Sequence, residues 1–251
     1  MRVIAGKYRS RPLESLRGMD IRPTSDRLRE TLFNVLCAGN PEALEGTVWS
    51  DLFAGTGAVG IEALSRGARQ VIFVESSRKA AALIEKNLHS LGIEDGFQLV
   101  QLEVATGLRK LEEAGVVGDF VFLDPPYGRK DAYVKTLQML SGSPVLKSTS
   151  VVIAEHDRKF DPGQEFGRLQ RYRKLEQGDA ALSFYRPVGF RSEQGRKYLA
   201  SANLVQAGRG SLDSTAQDDK QVKTNYISSS SARRTMGCCI SCNSFLTWFR
   251  P

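Results

Sequence analysis

An α/β fold built on a mostly parallel seven-stranded sheet with an antiparallel last strand is what this sequence predicts. Three observations carry that prediction. From about residue 47 onward, apolar runs that read as strands alternate with helix-like segments, a pattern that places helices on both faces of a parallel sheet. The first strand runs straight into a glycine-rich turn, Asp51-Leu-Phe-Ala-Gly55-Thr-Gly57-Ala-Val-Gly60, which opens a helix. Near residue 187 two extended stretches follow each other with Gly178-Asp179 between them, as an antiparallel pair that closes a sheet.

The elements follow in order. Residues 2–13 hold a β-branched pair, Val3-Ile4, and then Gly6, which suggests a small hairpin turning near that glycine. Ser25 or Asp26 can cap a helix whose Leu28, Leu32, Val35 and Leu36 form one apolar stripe. Strands are expected at 48–51, 71–75, 97–102, 120–124 and 151–155, with helices at 60–66, 78–91, 106–114 and 133–140 between them. Gly67 and Gly92 stand just past two of those helices, where glycine stops a helix. The closing pair is expected at 169–175 and 181–187. Seven strands with that ending suggest the methyltransferase variant of the doubly wound sheet.

Charge divides the chain. Of a net charge of +7, residues 1–30 carry +4 and residues 188–251 carry +5, which leaves the middle at −2. A near-neutral core with basic ends suits a catalytic domain whose attachments face a polyanion. Three segments are therefore expected: 1–40, a basic hairpin and helix; 41–188, the α/β domain; and 189–251, a disordered extension. The last is rich in Ser, Gln, Gly, Asp and Arg and has little periodicity. No stretch approaches the roughly 20 apolar residues of a membrane span, and the N-terminus lacks the apolar stretch of a signal peptide, so a cytoplasmic protein with no membrane partner is expected. Cys37 stands alone, and Cys238, Cys239 and Cys242 crowd the end without a complete ligand set, so no disulfide framework and no metal are expected.

Gly55-x-Gly57-x-x-Gly60 matches a dinucleotide fingerprint, which alone is weak. Asp51, four residues ahead of the first glycine, changes its meaning. A carboxylate there would repel a pyrophosphate but accept a hydrogen bond from an ammonium group, which points to S-adenosyl-L-methionine. Gly55 and Gly57 let the backbone approach a ligand. Glu75 ends the second strand, where it can accept from both ribose hydroxyls. Glu103, past the third strand, can receive the adenine amino group. Phe53, Ala54, Gly60, Ser76 and Val104, which flank these residues, are assigned to the same site.

Asp124-Pro125-Pro126-Tyr127 follows the apolar run 120–123, so it belongs at the carboxyl edge of the sheet, where ligands bind. An exocyclic amine on a nucleobase is a poor nucleophile because its lone pair is delocalised into the ring. A carboxylate and a stiff backbone carbonyl that accept both N–H bonds would aim that lone pair at an electrophile. Two prolines fix the turn, and Tyr127 offers a stacking face for an extruded base. These four residues are the catalytic candidates. His89 reads as a surface residue. His156 is within reach of the crevice, although this chemistry does not require a base of its own.

With these residues in place, the chain resembles the bacterial RsmD family. The resemblance rests on Arg22-Pro-Thr-Ser-Asp-Arg-Leu-Arg-Glu-Thr-Leu-Phe-Asn-Val-Leu36, Asp51-Leu-Phe-Ala-Gly-Thr-Gly57, Glu62-Ala-Leu-Ser-Arg-Gly67, Phe73-Val-Glu75 and Leu123-Asp-Pro-Pro-Tyr127, and it covers about residues 1–187. It implies a Rossmann-like class I methyltransferase fold and adenosylmethionine as cofactor. It also implies methylation of guanine N2 in 16S rRNA, at guanine 966, within 30S subunits or their assembly intermediates. Glu103 departs from the aspartate of many relatives. Lys7, Arg9, Arg11, Arg22, Thr24, Arg27 and Arg29 are taken as RNA-facing, and a monomer is expected. Two alternatives stay open: an adenine-N6 methyltransferase on DNA or RNA, since Pro-Pro-Tyr chemistry serves any exocyclic amine, and a non-catalytic RNA-binding assembly factor.

Overall fold

The computed structural model describes residues 1–15, 25–126 and 128–188. The assignments made to Arg22, Thr24, Tyr127 and the 189–251 segment lie outside them. The elements run α1 (Asp26–Leu36), β1 (Val48–Leu52), α2 (Ala58–Ser65), β2 (Gln70–Val74), α3 (Arg78–Ser90), β3 (Phe97–Val100), α4 (Val104–Glu113), β4 (Gly118–Leu123), α5 (Lys130–Gly142), β5 (Leu146–Asp157), β6 (Glu165–Phe166), β7 (Leu169–Gln177) and β8 (Ala180–Pro187). They build one sheet of order β3-β2-β1-β4-β5-β8-β7-β6, parallel from β3 to β5 and antiparallel beyond.

Among the described residues eight strands stand where seven were expected. The extra one, β6, is a two-residue edge strand paired only with β7, too short to leave a periodicity signal. β5 begins five residues earlier than its apolar run, because Lys147, Ser148 and Thr149 are exposed strand residues that read as a loop. α2 begins at Ala58 rather than Gly60, since Gly57 takes a left-handed conformation (φ 75°) and serves as the N-cap.

Alternation along the strands splits the core into two layers. Trp49, Phe73, Phe122 and Ile153 pack with Leu32 and Phe33 of α1, Ile61 of α2 and Ile84 of α3. Leu52, Ile72, Val121 and Ala154 pack with Leu108 of α4 and Leu137 of α5. Strands buried on both faces read as continuous apolar runs, which is why β1, β2 and β4 were legible. Among the described residues no helix is long and apolar enough to cross a membrane.

The N-terminal hairpin is a closed loop with one antiparallel bridge, Arg2 to Pro12. Val3 N–H donates to the Arg11 carbonyl at 2.9 Å and Ser10 N–H to the Val3 carbonyl at 2.8 Å. The loop is pinned to α2: the Glu62 carboxylate accepts from Ile4 N–H at 2.7 Å and Ala5 N–H at 3.0 Å. Gly6 (φ 81°) is required at this contact, since a Cβ there would sit 1.8 Å from the Ser65 carbonyl oxygen.

Candidate active site

Strand order reverses direction between β1 and β4, the point where open α/β sheets bind ligands. Four carboxylates reach it from four strand ends: Asp51 in β1, Glu75 after β2, Asp124 after β4 and Glu155 in β5. Their proximity follows from register, with Leu52 beside Val74 and Leu123, and Leu123 beside Ala154.

Asp51 is buried, and its Oδ2 accepts from Gly60 N–H at 2.9 Å. Glu75 straps the glycine loop to the next crossover, since Oε2 accepts from Gly55 N–H and Oε1 from Ser77 N–H, both at 2.8 Å. An ionised carboxylate offers roughly four acceptor sites, so ribose hydroxyls can still be received. Gly55 and Gly57 have positive φ, as a close backbone approach requires. Phe53 also has positive φ, 63°, which costs a bulky residue on the order of 1–3 kcal/mol and marks functional loops. Bonds from Ala54 N–H to the Val74 carbonyl and from Gly57 N–H to the Ala54 carbonyl hold it there.

Two residues assigned to cofactor contact are buried by packing. Gly60 lies inside α2, where a Cβ would meet the Phe73 ring at 2.3 Å; it lets helix and sheet approach and holds Asp51. Val104 is buried in the α4–α5 core layer. Ala54 is buried, while Ser76 and Glu103 are exposed at the starts of α3 and α4.

Burial is the main force pushing the Asp51 carboxyl well above its ordinary range, opposed by Gly60 N–H and reinforced by Glu75 and Glu155. Burial, then Glu155 and Asp51, do the same to Asp124. Crowded acids of this kind suit a ligand that brings positive charge, and adenosylmethionine carries an ammonium and a sulfonium. The residues present therefore fit that cofactor: Asp51 for its ammonium, the glycine turn for its close approach, and Glu75 for its ribose.

Asp124, the buried Pro125 and the exposed Pro126 form one wall of a cavity of about 290 Å³. Sequence reasoning missed its other walls, Tyr133, Glu155 and Phe160. Tyr133 reads as a helix stripe and Phe160 as loop, and only the β4–β5 register brings Glu155 to Asp124. His156 is buried, with Nδ1 2.9 Å from the Asp157 carbonyl and Nε2 2.9 Å from Ser183 Oγ, and burial lowers its pKa. Both ring nitrogens are engaged, and His156 forms part of the cavity wall.

Of the RNA-facing candidates, Lys7, Arg9, Arg11 and Arg27 are exposed. Arg9 and Arg27 line one surface cleft together with Arg2, whereas Arg11 donates to the Ser90 carbonyl at 2.7 Å. Arg29 must be withdrawn from the set. It is fully buried, donating to the Arg2 carbonyl and, at 2.9 Å, to Asp26, with Nε 3.9 Å from buried Glu62. Its removal would empty buried volume and break the 2.9 Å pair with Asp26, while Glu62 keeps Arg66 at 2.8 Å, so Arg29→Ala is expected to cost about 2–5 kcal/mol of stability. Denaturant titration checks this, and an unchanged midpoint would contradict it.

A parallel sheet closed by an antiparallel hairpin, with acids grouped at its switch point beside an Asp-Pro-Pro turn, defines the class I methyltransferase architecture. A family described as "Conserved hypothetical protein 95" matches residues 1–186. "Putative rRNA methyltransferase YlbH" of Bacillus subtilis is 34% identical over 192 residues, covering 75% of this chain and 100% of that protein. "Ribosomal RNA small subunit methyltransferase D" of Haemophilus influenzae is 34% identical over 160 residues, covering 63% and 79%. The structure of "Putative methyltransferase yhhF" of Escherichia coli superposes with a TM-score of 0.63 at 28% identity, covering 74% and 97%. The chain belongs to this family, the RsmD family of rRNA methyltransferases.

Proposed function

We propose that this protein transfers a methyl group from S-adenosyl-L-methionine to the exocyclic N2 of one guanine in 16S rRNA, within the 30S subunit or an assembly intermediate. The observation that carries the reading is Asp124-Pro125-Pro126 at the carboxyl edge of β4, beside Asp51 on one side and the aromatic-walled cavity on the other. The names of the relatives support rRNA as the substrate, and resemblance to the family supports guanine 966.

Bound adenosylmethionine supplies an electrophilic methyl group on a positively charged sulfur. Asp51 and Glu75 orient the cofactor in the crevice. Asp124 accepts one N–H of the target amine and the Pro125 carbonyl the other, which localises the nitrogen lone pair for attack. The proton that nitrogen must shed after transfer leaves through Asp124 or to water. Proline at 125 and 126 keeps these acceptors in place, because the turn cannot relax about φ.

Exposed cations of the N-terminal segment supply phosphate contacts. Each contact that releases a counterion steepens the salt dependence of affinity by about 0.7–0.9 in log–log slope. Charge reversal at Arg9 and Arg27 together is expected to flatten the slope for 16S rRNA fragments by roughly twice that, with adenosylmethionine affinity unchanged. An unaltered slope would mean that this segment only covers the sheet.

A further inference from the structure

The cavity beside Asp124 is lined by carboxylate, lysine and aromatic side chains. Leu123 pairs with Ala154 across parallel β4 and β5, so Asp124 and Glu155 stand side by side at one level of the carboxyl edge. Both line the cavity. Tyr133 and Phe160 lie 5.3 Å apart between ring centroids, and His156 meets each edge-on, at 6.4 and 6.2 Å. His156 is held in that cluster through both ring nitrogens. Lys130 lines the same cavity, with Nζ 5.5 Å from the centre of the Phe160 ring.

When the amine at N2 of guanine is placed on Asp124, the next group along the base edge is N1–H, a donor, and the one after it is O6, an acceptor. Adenine held by its N6 amine presents bare N1 next, an acceptor. A carboxylate adjacent to Asp124 receives the first and repels the second. We propose that Glu155 is the residue that selects guanine, by accepting its N1–H while Lys130 donates to O6. The inference rests on the guanine-N2 reading above and names the chemistry that enforces it. Glu155 has only 8% of its surface exposed, so an unmatched acceptor pressed against it finds no water to compensate.

The test compares guanine with 2,6-diaminopurine at the target nucleotide of reconstituted 30S particles. Diaminopurine keeps the 2-amine but carries bare N1 and an amine in place of O6. Wild-type enzyme is expected to prefer guanine in kcat/KM by at least about tenfold. Glu155→Gln, whose amide can turn an N–H toward bare N1, is expected to narrow that preference by about tenfold or more, with adenosylmethionine affinity near wild type and Tm no lower than wild type. If the variant keeps the wild-type preference, or loses turnover on both bases equally, Glu155 is not the selector. If wild-type enzyme methylates no guanine N2, the guanine reading fails first and the inference with it.

Discussion

Asp124→Ala is expected to lower kcat by on the order of 100- to 1000-fold, the usual loss when one preorganised partner of a reacting group is removed. Adenosylmethionine affinity should change little, because Asp124 is assigned to the base and Asp51 and Glu75 to the cofactor. Asp124→Asn adds a second, opposite observable. The folded-state pKa of Asp124 is raised, by burial first and then by Glu155 and Asp51. A carboxyl raised in this way contributes stability that is fully present below its unfolded pKa, near 3.9, and is lost as pH rises through the folded value. Above that folded value the ligand-free protein carries a destabilising charge, and Asp124→Asn should raise its Tm there while removing turnover. Wild-type kcat should fall as pH drops through that raised pKa, since a protonated carboxyl accepts an N–H bond poorly. Thermal melts and a pH–rate profile check both. A Tm that falls in Asp124→Asn, or a flat acid limb, would contradict the assignment.

Asp51→Ala is the second large effect. Loss of a charge-assisted hydrogen bond to the cofactor ammonium should weaken adenosylmethionine binding by about 1–3 kcal/mol. Asp51 also accepts from Gly60 N–H in the first turn of α2, so alanine removes two contacts at once. Asp51→Asn separates them, because its amide oxygen can still accept from Gly60 while the charge is gone. Calorimetry should find both variants weakened, and equal affinity in wild type and both variants would place the cofactor elsewhere.

The strand-end positions proposed for the cofactor were legible because each of them is local. Asp51, Gly55, Gly57 and Glu75 directly follow or end apolar runs, so strand ends could be counted along the chain. The walls of the base cavity were not legible, since Glu155 reaches Asp124 through a register between strands whose own residues lie about thirty positions apart. Arg29 misled for a related reason. It shares a helix face with Leu32, Phe33 and Leu36, yet its charge suggested solvent. Its carboxylate partners are Asp26, 2.9 Å away on the same helix, and Glu62, 3.9 Å away on a different one. β6 escaped because two residues carry no period.

The central claim, one guanine-N2 methylation in 16S rRNA, is tested most directly by mass-spectrometric mapping of methylated nucleosides. Undermethylated 30S particles are incubated with adenosylmethionine and the protein. A single N2-methylguanosine in 16S rRNA, formed by wild type and absent with Asp124→Ala, is the predicted result. N6-methyladenosine, or no new methyl group despite measurable adenosylmethionine binding, would contradict it.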